Sequence, residues 1–256
     1  MTGDSGILSL PQGSGEHPVN WVEFVARDLD RASAFFSNVF GWQLRPFMDG
    51  YSTFMDNGGY GGGINAGKPE QPLRSFIYIQ VDNVDDALAQ CAAAGGEAVV
   101  PKVVIDPQSG GGSGFFKDPA GLLMGLADLK MPDLPTPMPF GPDKPVDGAI
   151  CSVELYGGDF TVTKPFYSDL FGWALLETMP GYMSFGPGRG LSGVFQGHTP
   201  AAETVVYVWV DDMAGTIGRI SANAGTMLGE PMSVPGFGSF AYYRDCEGAV
   251  QGLIGR

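Results

Sequence analysis

The stretch FFSNVFGW at residues 35–42 returns as FYSDLFGW at residues 166–173. Five of the eight letters are identical, and the offset of 131 residues is close to half of the 256-residue chain. The same offset aligns Glu23 with Glu154. Other matching segments, with small changes of offset, are GYSTF (50–54) with GYMSF (181–185), YIQVD (78–82) with YVWVD (207–211), and KDPAG (117–121) with RDCEG (244–248). A repeat of this length predicts two duplicated domains whose loops differ by short insertions.

Each half also contains a shorter repeat. An alternating strand is followed by Asp, by apolar residues at helical spacing, and then by about three short strands separated by Gly, Pro and Asp. The pattern predicts four β-α-β-β-β units, at roughly 19–66, 74–127, 148–196 and 203–254. Gly41 is well placed to end the first helix. Pro165 falls where the first unit has a helix interior, so we expect the third helix to begin late, near Thr163.

The predicted organisation has four parts. Residues 1–18 form a flexible N-terminal tail, 19–128 the first domain, 129–147 a linker with six prolines, and 148–256 the second domain. A linker of this composition is extended and semi-rigid.

Composition excludes several classes of partner. The net charge of −14 disfavours nucleic acid and anionic membrane surfaces, which both require basic residues. No apolar run is long enough to cross a membrane, and the N-terminus lacks the basic start of a signal peptide. Three widely spaced cysteines are typical of reduced thiols, so we expect a cytoplasmic protein.

The four units, together with DLDRASAFFSNVFGW and the late FKDPAGLLMGL and YRDCEGAVQGL elements, resemble the vicinal oxygen chelate superfamily. This superfamily contains glyoxalases, bleomycin resistance proteins and extradiol dioxygenases, and the resemblance covers nearly all of 19–254. It implies an α+β fold of two tandem glyoxalase-type domains with cupped mixed sheets. The octet is then the first helix of each domain, and its aromatic residues are expected to pack in the core.

The resemblance also implies where a catalytic metal would be held in such a cup. The corresponding positions here are Trp21, Phe76 and Gly125 in the first half, and Ser152, Val205 and Gly252 in the second. Trp, Phe, Val and Gly side chains offer no metal ligand, and a serine hydroxyl is a poor one. His17 lies in the tail and His198 in a loop. We therefore expect no metal and no other cofactor, and neither glyoxalase I nor extradiol dioxygenase activity of the usual metal-dependent kind.

Strand alternation predicts which residues face the ligand. The candidate ligand-binding residues are aromatic, namely Trp21, Phe76, Tyr78, Tyr156, Tyr207 and Trp209. Tyr51 and Tyr182 are weaker candidates, and Gly125 and Gly252 are expected to widen the cups.

Glu23 and Glu154 are the candidate catalytic residues, because burial raises the pKa of a carboxyl group toward values that suit an acid or base. Two interpretations remain open for them. They either stabilise the cup through hydrogen bonds or face a substrate.

These features support a protein that binds a small, aromatic or hydrophobic molecule in a metal-free cup. The alternative is a metal-independent isomerase, epimerase or lyase that uses Glu23 or Glu154. A structural or partner-binding protein is the third hypothesis. With four units in one chain, we expect an internal pseudo-dimer that can exist as a monomer. Two pairings of the units stay open: one with two and three with four, or one with four and two with three.

Overall fold

The fold was obtained as a computed structural model, which describes residues 11–68, 74–129, 145–198, 202–234 and 238–255. The first half forms one mixed sheet of eight strands in the order β2-β3-β4-β1-β5-β8-β7-β6. Its elements are β1 (Val19–Ala26), α1 (Leu29–Phe40), β2 (Gln43–Met48), β3 (Tyr51–Met55), β4 (Gly61–Ala66), β5 (Ser75–Gln80), α2 (Val84–Ala93), β6 (Glu97–Asp106), β7 (Gly111–Lys117) and β8 (Leu123–Ala127).

The second half repeats this order in a sheet of nine strands, β10-β11-β12-β9-β13-β17-β16-β14, with β15 added on β16. Its elements are β9 (Ile150–Tyr156), α3 (Phe160–Phe171), β10 (Ala174–Met179), β11 (Tyr182–Gly186), β12 (Gly193–Gln196), β13 (Thr204–Val210), α4 (Met213–Ala222), β14 (Thr226–Met227), β15 (Met232–Val234), β16 (Gly238–Arg244) and β17 (Val250–Gly255). The two short strands β14 and β15 take the place of the single long β6, so the fourth unit has one strand more than predicted.

The sheets decide which units share a cup. Antiparallel pairing of β1 with β5 joins units one and two, and pairing of β9 with β13 joins units three and four. This is the simpler of the two pairings that the sequence left open. Within the described residues, two mixed sheets and four helices confirm the predicted α+β fold, in which the second half repeats the first.

The first helix of each domain is capped as its sequence predicts. Asp28 accepts a hydrogen bond from the backbone of Arg31 at the start of α1, and Gly41 ends the helix with φ of 78°. This left-handed conformation favours glycine, and Gly172 adopts it (φ 63°) at the end of α3.

The prediction of a late start for α3 was wrong. The helix begins at Phe160, with Asp159 as its N-cap, and Pro165 lies inside it. A proline there removes the hydrogen bond to the carbonyl four residues earlier, on Thr161. Thr161 is exposed, so water can reach that carbonyl. The helix therefore tolerates the proline without losing its first turn.

The main core lies between the two sheets and contains the aromatic residues of the repeated octet. Phe36 stacks on Trp42 with ring centroids 5.1 Å apart, and Tyr167 stacks on Trp173 at the same distance. The octet also packs against the other domain: Phe35 of α1 stacks on Tyr243 of β16, with ring centroids 6.2 Å apart. The octet is therefore structural, as expected, and its packing joins the two domains.

Part of the predicted flexible tail packs against the second domain. The backbone of Gly13 donates to Gly186 (2.9 Å), and Trp173 Nε1 donates to the carbonyl of His17 (2.8 Å). Residues 1–10 and most of the linker, 130–144, lie outside the described residues. Within the described ranges, no helix has the length and apolar character needed to cross a bilayer.

Candidate functional site

Each sheet carries a second, smaller apolar cluster on the face turned away from the main core. We call these faces cup one and cup two. Cup one is lined by Val25, Phe76, Tyr78 and Ala127, with Trp21, Phe115 and Leu123 packed against them. Cup two is lined by Cys151, Val205, Tyr207, Trp209, Val250 and Ile254, with Ala202, Phe240 and Tyr242 packed against them. Five of the six predicted ligand-face residues fall in these clusters. The sixth, Tyr156, is half-buried and belongs to neither of them.

Glu23 lies at the base of cup one, on β1, with only 6% of its surface exposed. Its Oε2 accepts hydrogen bonds from the hydroxyls of Tyr51 (3.0 Å) and Tyr78 (3.2 Å), and its Oε1 accepts from Asn65 Nδ2 (3.3 Å). Trp21 Nε1 donates to the Tyr51 hydroxyl (3.1 Å). Burial raises the pKa of Glu23, and these donors partly offset the rise because they stabilise the charged form.

Glu154 takes the corresponding place in cup two, on β9, and is 4% exposed. The Tyr207 hydroxyl donates to its Oε2 (3.1 Å), and the Tyr242 hydroxyl contacts both oxygens (2.9 and 3.1 Å). The side-chain amide of Gln196 lies beside this carboxylate and helps to stabilise its charged form. Burial raises the pKa of Glu154, while these hydrogen bonds and the nearby His198 lower it in part.

The two carboxylates share one tyrosine position and differ in the other. Tyr78 and Tyr207 are equivalent in the repeat, but Tyr51 approaches Glu23 from β3 whereas Tyr242 approaches Glu154 from β16. Tyr182, the equivalent of Tyr51, instead has its hydroxyl 3.3 Å from Nε2 of His198.

A single residue of the neighbouring strand explains this difference. Gly63 lies beside Glu23 in the β1–β4 register, and a Cβ there would be 1.9 Å from the Tyr51 hydroxyl. Val194 has the equivalent place beside Glu154. The Val194 side chain occupies the space that Tyr51 uses in cup one. The second tyrosine of cup two therefore comes from β16, on the other half of the same sheet.

The expectation that Gly125 and Gly252 widen the cups was wrong. A Cβ on Gly125 would lie 2.2 Å from the Tyr78 ring, and one on Gly252 would lie 2.3 Å from the Tyr207 ring. The glycines therefore give each tyrosine ring the space to lie flat on the neighbouring strand.

Comparison with known proteins assigns the first domain to a family. Residues 19–126 match the model of the Glyoxalase/Bleomycin resistance protein/Dioxygenase superfamily. The first domain belongs to this superfamily. The second domain repeats its topology strand for strand, apart from the exchange of β6 for two short strands.

A curated relative and two solved structures also align over most of the chain. CFP32 of Mycobacterium tuberculosis, which carries the name of a glyoxylase, is 25% identical over 92% of this chain and 93% of its own. The Mn(II)-bound glyoxalase from Novosphingobium aromaticivorans aligns with a TM-score of 0.62 and 17% identity, over 97% of this chain and 83% of that one. The 2,3-dioxygenase LapB from Pseudomonas sp. KL28 gives 0.66 and 13%, over 97% and 94%. At these structural identities, the likeness concerns the fold.

The resemblance to metal enzymes of the superfamily implies positions for a metal ion in each cup. The residues at these positions in this chain do not suit a metal ion. Phe76 and Val205 are apolar, and the space at Gly125 and Gly252 is filled by tyrosine rings. Among the residues that the structure describes, no group of three or more His, Cys, Asp or Glu side chains could hold a metal. One carboxylate in a shell of hydroxyl and amide donors is a weak ligand set for a catalytic divalent ion.

Two residues of the cup faces were missed by simple alternation. The pairing of β1 with β5 shifts between Val19 and Trp21, and that of β13 with β9 shifts between Tyr207 and Val208. These β-bulges involve Asn20 and Cys151, which are equivalent in the repeat. Asn20 hydrogen-bonds Gln80, and Cys151 joins the cup two cluster. A β-bulge leaves no reliable mark in one sequence, but the offset of 131 residues does relate the two positions.

Proposed function

We propose that the protein is a glyoxalase/bleomycin-resistance-like protein that binds a small, aromatic or hydrophobic molecule in a cup without a metal. The observation that carries this proposal is the buried carboxylate at the base of each cup, held by tyrosine hydroxyls and surrounded by aromatic side chains. An apolar, aromatic wall with a few convergent polar groups is the usual composition of a small-molecule site.

The donor chemistry of the cups supports binding without a metal. Each carboxylate already accepts hydrogen bonds from two tyrosine hydroxyls and one amide. These donors occupy most of the acceptor sites of each carboxylate, so few of them remain for a metal ion. The tyrosines instead hold the carboxylate in one orientation, which favours recognition of a ligand by shape and hydrogen bonding.

The second candidate function is metal-independent acid–base catalysis by Glu154 or Glu23. It is favoured by the burial that raises the pKa of both carboxyl groups. Such a group can take a proton from a carbon next to a carbonyl and return it elsewhere, as isomerisation and epimerisation require, or withdraw it during elimination. In cup two, the Tyr207 and Tyr242 hydroxyls would stabilise the charged carboxylate before the first proton transfer and after the second.

Thermal-shift measurements with a panel of metabolites and antibiotics test the binding proposal. We expect at least one ring-containing compound to raise the melting temperature equally with and without EDTA. Protein purified without chelator should contain no stoichiometric zinc, nickel, iron or manganese. Stabilisation that disappears with EDTA, or an ion bound inside a cup, would contradict the metal-free proposal.

A compound that binds is then assayed for turnover with Glu154→Gln and Glu23→Gln. Turnover by the wild type that is abolished in one Gln variant, with binding retained, would establish the enzyme. Binding without turnover in the wild type would establish the carrier. We also retain the expectations of a monomer, which sedimentation at low concentration tests, and of a small molecule as the partner.

A further inference from the structure

The two cups differ in how much aromatic side chain fills them. In cup one, the Trp21 ring lies over Gly61, because a Cβ on that glycine would be 3.2 Å from it. Tyr51 lies over Gly63 in the same way. Gly61 and Gly63 carry no side chain, and the two rings occupy the space that these glycines leave on β4.

Cup two has neither ring in these places. The equivalents of Trp21 and Gly61 are Ser152 and Ser192, so an indole is replaced by a hydroxymethyl group. Val194 replaces Gly63, and Tyr182 turns its hydroxyl toward the exposed His198. The β12 side of cup two is thus lined by small side chains where cup one is filled by aromatic rings.

This same strand face carries two buried polar atoms without a hydrogen-bond partner. They are Oγ of Ser192 and Oε1 of Gln196, and both residues are 3% exposed. Alternation places Ser192, Val194 and Gln196 on one face of β12, beside Glu154. Buried polar atoms without a partner are rare, because each one loses its hydrogen bonds to water without compensation.

The orientation of Gln196 follows from its neighbours. Its amide lies beside the Glu154 carboxylate and the Tyr242 hydroxyl and lowers the pKa of both groups. Since a carboxylate can only accept, the amide nitrogen faces Glu154, and the carbonyl oxygen is the atom left free. In cup one, the equivalent Asn65 is only half-buried, so water can satisfy its free oxygen.

We infer that cup two is the ligand-binding cup, and that Gln196 Oε1 accepts a hydrogen bond from an aromatic ring compound that carries an O–H or N–H donor and no negative charge. This inference rests on the proposed function and specifies its site. The ring lies on the β12 side of the cup, beside Ser192 and Val194, in the region that the Trp21 indole fills in cup one. An anion is disfavoured, since it would meet the Glu154 carboxylate and a bare carbonyl oxygen.

Fluorine NMR titration with three probes tests the inference. The probes are 4-fluorophenol, 4-fluoroanisole, which has the same ring without the donor, and 4-fluorobenzoate, which is an anion. We expect 4-fluorophenol to bind the wild type at least about tenfold more tightly than 4-fluoroanisole, because the ether leaves Gln196 unpaired. 4-Fluorobenzoate should bind most weakly.

Matched variants assign the site to one cup. Gln196→Leu should reduce the preference for the phenol to less than about threefold, whereas Asn65→Leu in cup one should leave it unchanged. The double variant Ser152→Trp/Ser192→Gly rebuilds the Trp–Gly pair of cup one and should weaken binding of both neutral probes. It tests the site by filling it, so it decides the question even if Gln196→Leu does not fold.

Three results would overturn the inference. The first is equal affinity of the wild type for phenol and ether. The second is a preference that survives in Gln196→Leu but is lost in Asn65→Leu, which would place the site in cup one and leave the proposed function intact. The third is the absence of binding by all three probes, after which only the wider ligand panel could support the proposed function.

Discussion

Replacing Tyr51 by Phe should destabilise the protein far more than the same change at its repeat equivalent, Tyr182. The Tyr51 hydroxyl donates to the buried Glu23 carboxylate and accepts from Trp21 Nε1. A hydrogen bond to a charged group contributes about 1.5–3 kcal/mol and one between neutral groups about 1 kcal/mol. Trp21 is half-buried, so water replaces part of what it loses. We therefore expect Tyr51→Phe to lower the free energy of unfolding by about 2–3 kcal/mol.

The matched control is Tyr182→Phe. The partner of this hydroxyl is the exposed His198, whose hydrogen bond water can replace, so the expected loss is within about 0.5 kcal/mol. Urea unfolding of both variants beside the wild type measures the two differences. Equal losses, or a loss below about 1 kcal/mol for Tyr51→Phe, would refute the argument that Glu23 depends on this tyrosine.

Two further changes test the packing and the titration of buried groups. Gly252→Ala places a Cβ 2.3 Å from the Tyr207 ring and should cost about 1–3 kcal/mol of unfolding free energy, whereas the control Gly218→Ala, in open space inside α4, should stabilise by about 0.5–1 kcal/mol. Burial raises the pKa of Asp118 from its ordinary 3.8 to about 6. Between these two pH values, the folded protein still holds a proton that the unfolded chain has released. The free energy of unfolding therefore falls as the pH rises through this range. Asp118→Asn cannot titrate, and the loss of unfolding free energy between pH 4 and pH 7 should be smaller in this variant by up to about 3 kcal/mol; an unchanged pH profile in urea unfolding would contradict the assignment.

The repeated sequence was sufficient to predict the four β-α-β-β-β units because it recurs at two levels, whereas the cupped α+β fold was implied by the resemblance to the vicinal oxygen chelate superfamily. The octet gave the domain period, and the strand–Asp–helix pattern gave four units whose observed limits differ from the predicted ones by at most two residues. Pro165 was misjudged because the cost of a proline depends on whether water reaches a carbonyl one turn earlier, which one sequence does not reveal. The pairing of units was left open because it depends on contacts between distant strands.

The candidate site could be predicted only in part. Strand alternation placed Glu23 and Glu154 in the cups, but it gave no hint that Tyr242 contacts Glu154. That contact depends on Val194 of β12, whose side chain occupies the space beside Glu154 that a tyrosine fills in cup one. The contrast of Gly63 with Val194 was visible in the aligned repeats, yet its meaning requires the register of β4 and β12 against their neighbours.

Comparison of the cups separates what the fold requires from what can vary. A carboxylate buried to this degree needs several donors, and both cups supply two tyrosine hydroxyls and one amide. The tyrosine that lies over the glycine of β8 or β17 is retained in both cups. The second tyrosine comes from β3 in cup one and from β16 in cup two, which lie on opposite halves of the sheet. Retention of the donor number with exchange of the donor position indicates that this number is the constraint.

The two carboxylates meet this requirement in different surroundings. In cup one, the donors and the Trp21 ring complete a closed set around Glu23, which suits the structural interpretation of that residue. In cup two, the same donor number is reached while Gln196 keeps an unpaired oxygen beside Glu154. On the proposed function, the search for a ligand, and for any acid–base role, should therefore begin at Glu154.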